Sequence, residues 1–98
     1  MSARVVHFEV PFDDAERALS FYRDVFDWQI QSLPEMGYNI VSTGPGDDQG
    51  MPTEPGFVNG GMGSRETIPA SGPVITVDVE DIDAALEKVE QLGGKTQV

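Results

Sequence analysis

Two segments of this chain run through the same pattern, and together they leave few architectures open. Residues 5–30 alternate as a strand, turn on polar residues, carry an amphipathic helix and enter a second strand. Residues 73–94 repeat the strand, turn and helix, and residues 95–98 read as the start of a further strand. A shift of 67 positions lays Phe12 on Val79, Asp14 on Asp81, Leu19 on Leu86 and Trp28 on Lys95, the signature of an internal structural repeat. In the first strand Val6, Phe8 and Val10 fall on one face and Val5, His7 and Glu9 on the other, because successive side chains point to opposite sides. The helix places Ala15, Ala18, Leu19, Tyr22, Val25 and Phe26 at three- and four-residue spacing, one stripe whose natural partner is the Val6/Phe8/Val10 face. The opposite face is then free to line a concavity. It carries the protein's one histidine beside a carboxylate, and function is expected there.

The boundaries follow from local chemistry. Asp13 is expected as the N-cap of the first helix, with Glu16 completing a capping box and Asp14 adding negative charge to the first turn. The helix should end near Phe26, with Asp27 in the left-handed position that glycine usually takes. Residues 28–33 alternate as a strand, residues 34–37 read as a turn and residues 38–43 as the returning strand of a hairpin. Residues 44–55 are dense in glycine and proline. A loop that long in so small a domain is more often functional or mobile than a plain connector. Residues 57–62 suit a further strand, which Gly60 and Gly61 either weaken or open to close approach by another group, and residues 63–72 return to loop. In the second copy residues 73–79 form the strand, Glu80 and Asp81 the turn, and Ile82, Ala85, Leu86, Val89 and Leu92 the helical stripe, closed by Gly93 and Gly94. The acidic run Glu80, Asp81 and Asp83 suits capping and dipole stabilisation better than a cation site.

Ninety-eight residues make one domain, near the lower limit for a self-sufficient core. No run is long enough to span a membrane, and from Arg4 onward charged residues interrupt any signal-peptide core, so a cytoplasmic location is expected. The absence of cysteine excludes disulfides, thiolate metal sites and thiol nucleophiles. A net charge of −11 repels nucleic acid and anionic membranes, which sets both aside as partners. Such acidity suits an ordinary soluble protein, and with only Lys88 and Lys95 as lysines it also fits adaptation to high salt.

The run His7, Asp14, Arg17, Ala18, Phe21, Tyr22, Arg23, Asp24, Val25 and Phe26 resembles a motif of the vicinal oxygen chelate superfamily, the glyoxalase/bleomycin-resistance/dioxygenase group. The stretch from Pro73 through Gly93, Gly94 and Lys95 is similar to its second-module counterpart. The resemblance implies an α+β fold of βαβββ modules, the glyoxalase/bleomycin-resistance fold, whose sheets combine into an open cup. Residues 1–63 would form the first module and residues 73–98 a truncated second one. It further implies a divalent metal (Zn, Ni, Mn or Fe) inside the cup, held by side chains on the first, fourth, fifth and eighth strands and acting as a Lewis acid. His7 falls on the first-strand ligand position. Val74 occupies the fifth-strand position and cannot coordinate, residues 57–62 hold no carboxylate, and the eighth-strand position has no counterpart. The expected metal site is therefore degenerate.

Several readings of the site stay open. His7 and Glu9, roughly 6–7 Å apart along a strand, suit a two-ligand metal remnant, an acid/base pair with Glu9 as the catalytic group, or an ordinary lining in which Glu9 pairs with an arginine such as Arg4. Trp28, Tyr38 and Phe57 suit an aromatic wall for a flat ligand, although aromatics on strands more often belong to the core. Asn59 offers an amide to a ligand or serves a turn. The leading expectation is a glyoxalase-like domain that binds a small organic molecule in the inter-module cup. The alternatives are a metal-dependent lyase or ring-cleaving dioxygenase using His7, and a structural or dimerising module without catalysis. Open sheet edges suit either a fragment of a longer protein or two chains that pair, and the expectation is a homodimer.

Overall fold

A computed structural model describes residues 3–97. The elements run β1 (Arg4–Phe12), α1 (Ala15–Phe26), β2 (Gln29–Leu33), a 3₁₀ turn (Pro34–Met36), β3 (Tyr38–Ser42), β4 (Gly60–Ser64), β5 (Val74–Asp78) and α2 (Ile82–Gln91). The strands form one sheet in the order β2-β3-β4-β1-β5. β4 returns parallel to β1, and the other neighbours are antiparallel. From β1 to β4 the chain completes the expected βαβββ unit. β5 pairs with the outer side of β1 and leads into α2, so all five strands belong to one sheet. Among the described residues no helix is long and apolar enough to cross a membrane.

The register assigns each residue a face. Phe8 lies beside Gly60, Val10 beside Met62, and Met62 beside Asn39, which places these side chains with Val41 and Ile30 on one side. Val41 and Met62 are fully buried there. Asn39, the one buried polar side chain among the described residues, satisfies its amide by donating to the Met62 carbonyl at 3.0 Å, as a group cut off from water requires. Trp28 joins this side by stacking on Tyr22 of α1, with centroids 5.1 Å apart and planes within 9°, and by meeting Phe8 at 5.5 Å and Phe26 at 5.6 Å. These aromatic contacts fix α1 to the sheet as the apolar stripe predicts. The alternation of β1 holds from His7 onward. A register shift between Val5 and His7 leaves Val6 without a partner and sets Val5 opposite Val77, so Val5 takes the side of Phe8 and Arg4 that of His7.

The helix ends depart from expectation at one position. Asp14, not Asp13, caps α1, and its carboxylate accepts the Arg17 backbone N–H at 3.2 Å. Asp13 is instead held by the Arg65 guanidinium at 2.8 Å, so the proposed capping box with Glu16 does not form. The internal repeat contained this answer: Asp81, the position equivalent to Asp14, caps α2 by accepting from the Ala84 N–H at 3.1 Å. Asp27 does close α1 in the left-handed region, at φ 59°, with its N–H on the Arg23 carbonyl.

Two strand boundaries also differ. β4 spans Gly60–Ser64 and not residues 57–62, because its glycines must lie where the neighbouring Phe8 and Tyr38 need room. Phe57 is left in the preceding loop, and the loop expected from residue 63 begins after Ser64. Residues 95–97 form no strand, and Val98 lies outside the described residues.

The molecule is open. Its Cα radius of gyration is 15.2 Å, against about 12.5 Å for a compact domain of this length. Val41, Met62 and Ile68 are the buried apolar residues among those described, and no residue of α1 or α2 is buried. The α2 stripe stays in contact with water, with Ile82 68% and Leu92 78% exposed.

Candidate functional site

The face of the sheet opposite α1 is built by alternation: His7 and Glu9 on β1, Tyr38, Ile40 and Ser42 on β3, Gln29 and Gln31 on β2, and Val74 and Thr76 on β5. β4 contributes no side chain at the centre of this face, because the residue between Ile40 and Glu9 is Gly61. That gap is filled from β3. A Cβ at position 61 would collide with the ring and hydroxyl of Tyr38, so the phenol lies directly over the β4 backbone. On the other face a Cβ at position 60 would collide with the ring and carbonyl of Phe8. The glycine pair therefore serves two close approaches, one per face.

Crossing β4 brings the Tyr38 hydroxyl to β1. It donates to Glu9 Oε2 at 2.9 Å, and His7 Nε2 lies 3.2 Å from the same phenolic oxygen. His7 Nε2 and Glu9 Oε2 are 3.7 Å apart, closer than the spacing along the strand predicts, since both tips converge on the phenol. A phenol has one proton and gives it to Glu9, so His7 is left to donate from Nε2. The cluster is half-buried, with the His7 and Glu9 side chains 37% and 30% exposed. Burial, and then the hydrogen bond and negative charge of Glu9, push the Tyr38 hydroxyl up to about 12. At neutral pH it is a neutral donor. Glu9 uses one carboxylate oxygen in this cluster, and it pairs with Tyr38 and His7, not with an arginine.

At the β2 edge this face meets a groove of about 400 Å³ that takes in Arg23 and Asp27 from the end of α1 and Trp28 and Ile30 from the α1 side of the sheet, together with Gln29, Gln31, Ile40 and Ser42. A second groove of about 530 Å³ shares Asp27, Gln29 and Ser42 and extends onto Thr43, Gly46 and Asp47 of the long loop. That loop is folded by its own polar groups. Asp47 accepts the N–H groups of Gln49 and Met51, each at 2.9 Å. Asn59 accepts the Thr43 N–H and donates to the Gly50 carbonyl, both at 3.0 Å.

The residues singled out from the sequence thus separate. His7, Glu9 and Tyr38 come together on the open face. Trp28 belongs to the aromatic packing on α1, although it also borders the first groove. Phe57 packs across Gly44 at the root of the loop, and both ends of the Asn59 amide are engaged in holding the loop. Gln29, Gln31 and Ser42 were missed as site residues. Their signal was present, because the period of two that puts Tyr38 on the open face puts them there as well.

The metal implied by the family resemblance does not fit this donor set. His7 Nε2 and Glu9 Oε2 both face the Tyr38 hydroxyl. Val74 neighbours Glu9 on the same face, yet offers only an isopropyl group. Among the described residues no three His, Cys, Asp or Glu side chains converge, which is fewer ligands than a stable divalent site needs.

Residues 4–44 match the family described as bleomycin resistance protein-like N-terminal. A glyoxylase-like domain-containing protein from Didymella fabae is 36% identical over 101 residues, spanning 97% of this chain and 72% of that protein. Among solved structures, a hypothetical protein from Bacillus halodurans superimposes with a TM-score of 0.54 at 16% identity, covering 95% of this chain and 70% of its own. A Streptomyces coelicolor methylmalonyl-CoA epimerase variant in complex with 2-nitronate-propionyl-CoA gives 0.50 at 15% identity, covering 95% and 72%. The βαβββ order, the motif beginning at His7 and the identity to the Didymella fabae relative together place the chain: it belongs to the vicinal oxygen chelate superfamily, among the glyoxalase-like and bleomycin-resistance-like proteins.

Proposed function

We propose that this domain binds a small organic molecule on its open sheet face, between the His7–Tyr38–Glu9 cluster and the groove lined by Gln29, Gln31 and Ser42. The observation that carries this reading is the cluster itself. Three polar side chains from two strands are gathered at hydrogen-bond distance over a glycine gap, on the face that does not pack against α1. A purely structural sheet gains little from such an arrangement. A ligand gains a fixed phenol, a carboxylate with one oxygen still to be engaged, and neighbouring amides that select by hydrogen bonding. The long loop borders the second groove, which suits it to contact the same ligand.

Glu9 acts in this reading as an acceptor for a donor group on the ligand, held in orientation by Tyr38. We further propose that two copies associate, because the stripe of α2 and the outer edge of β5 leave Ile75, Ile82 and Leu92 uncovered.

Thermal-shift screening with aromatic and drug-like compounds tests the binding site. A true ligand at about a hundred times its Kd adds about 2.7 kcal/mol of stability. Its shift should shrink in both Tyr38→Phe and Glu9→Gln. Hits whose effect is untouched by either substitution would contradict the assignment.

A further inference from the structure

We infer that Tyr38 is the built-in occupant of the position a cation would take between His7 and Glu9, so that this domain excludes divalent metals by its own fold. The inference does not depend on the small-molecule reading.

Two ligand atoms on one metal at about 2.0–2.2 Å each stand roughly 3.3–3.6 Å apart in tetrahedral geometry. His7 Nε2 and Glu9 Oε2 are 3.7 Å apart, a few tenths of an ångström from that spacing. What lies against both atoms is the phenolic oxygen, 3.2 Å from the imidazole and 2.9 Å from the carboxylate. A neutral O–H and a cation satisfy the same two groups in opposite ways. The phenol donates to the carboxylate and accepts from the imidazole N–H. A metal instead needs the imidazole nitrogen deprotonated and the carboxylate free.

Tyr38 is also placed to stay there. Its ring lies over the β4 backbone, where any side chain at position 61 would displace it. The exclusion is therefore a two-residue device, a tyrosine on β3 and a glycine on β4. It operates in addition to the missing third ligand at Val74, which neighbours Glu9 on the same face.

These two causes can be separated. Zn and Ni binding is titrated calorimetrically, one metal at a time, against the wild type, Val74→His, Tyr38→Phe and the double variant, with circular dichroism confirming that each is folded. Wild type should show no saturable site. Val74→His should bind weakly, and adding Tyr38→Phe should tighten binding roughly ten- to hundredfold, because the metal no longer displaces two hydrogen bonds. Equal affinity in Val74→His and the double variant would overturn the inference, as would no binding by either folded protein. A further test uses the wild type alone, so it survives any failure of the variants to fold. Manganese added to the native protein should leave the C–H resonances of its single histidine sharp in NMR spectra, and selective broadening of those signals would overturn the inference.

Discussion

At the scale of single residues, the site depends on what Tyr38 touches. Burial and Glu9 together hold its ionisation at about 12, above the ordinary value of 10.0. A group whose folded value is raised stabilises the fold in full below its unfolded value and loses that contribution as the pH climbs past the folded one. The contribution of Tyr38 is thus complete below pH 10 and disappears between about 10 and 12. Ultraviolet titration of tyrosinate should show one late step that vanishes in Tyr38→Phe. In Glu9→Gln the step should move to lower pH yet stay above 10, since burial remains after the charge and its hydrogen bond are gone. A late step unaffected by Glu9→Gln would place Tyr38 away from the carboxylate.

At the scale of elements, the caps show how closely sequence and structure correspond. Asp14→Ala should cost about 1 kcal/mol, the usual loss of an N-cap acceptor. Asp13→Ala removes only an exposed pair with Arg65 and should cost under about 0.5 kcal/mol. Denaturant unfolding of the two variants reads the difference directly, and a larger loss from Asp13→Ala would reverse the cap assignment. Local pattern favoured Asp13 because it sits three residues before Glu16. The repeat, which aligns Asp14 with Asp81, was the better guide, since equivalent positions meet the same geometric demand. The hairpin and both helices were legible because their apolar periods are strong. The extent of β4 was not, because a Gly-Gly pair carries no side-chain alternation. The meaning of that pair emerges only once Phe8 and Tyr38 arrive from neighbouring strands. The same applies to the site: His7 and Glu9 could be read from one strand, whereas the approach of Tyr38 depends on the β3–β4–β1 register.

At the scale of the whole molecule, an open shape and a net charge of −11 set the conditions for assembly. Covering an exposed Ile or Leu is worth about 1.5–3 kcal/mol, and Ile75, Ile82 and Leu92 are among the most exposed apolar side chains here. Self-repulsion of like-charged copies opposes their association and is screened by salt. Light scattering at micromolar concentration should therefore show a dimer whose fraction rises with KCl. A clean monomer at every salt concentration would contradict the proposed association, and dimerisation that weakens with salt would assign it to charge pairs instead of apolar cover.

Whether Tyr38 crosses Gly61 to join His7 and Glu9 into one hydrogen-bonded site is read out by long-range nitrogen–proton NMR of the single histidine. With the phenolic proton committed to Glu9, neutral His7 should carry its proton on Nε2, and both Tyr38→Phe and Gly61→Ala should shift its ring resonances. A histidine protonated on Nδ1, with resonances indifferent to both substitutions, would mean that Tyr38 does not join the two side chains.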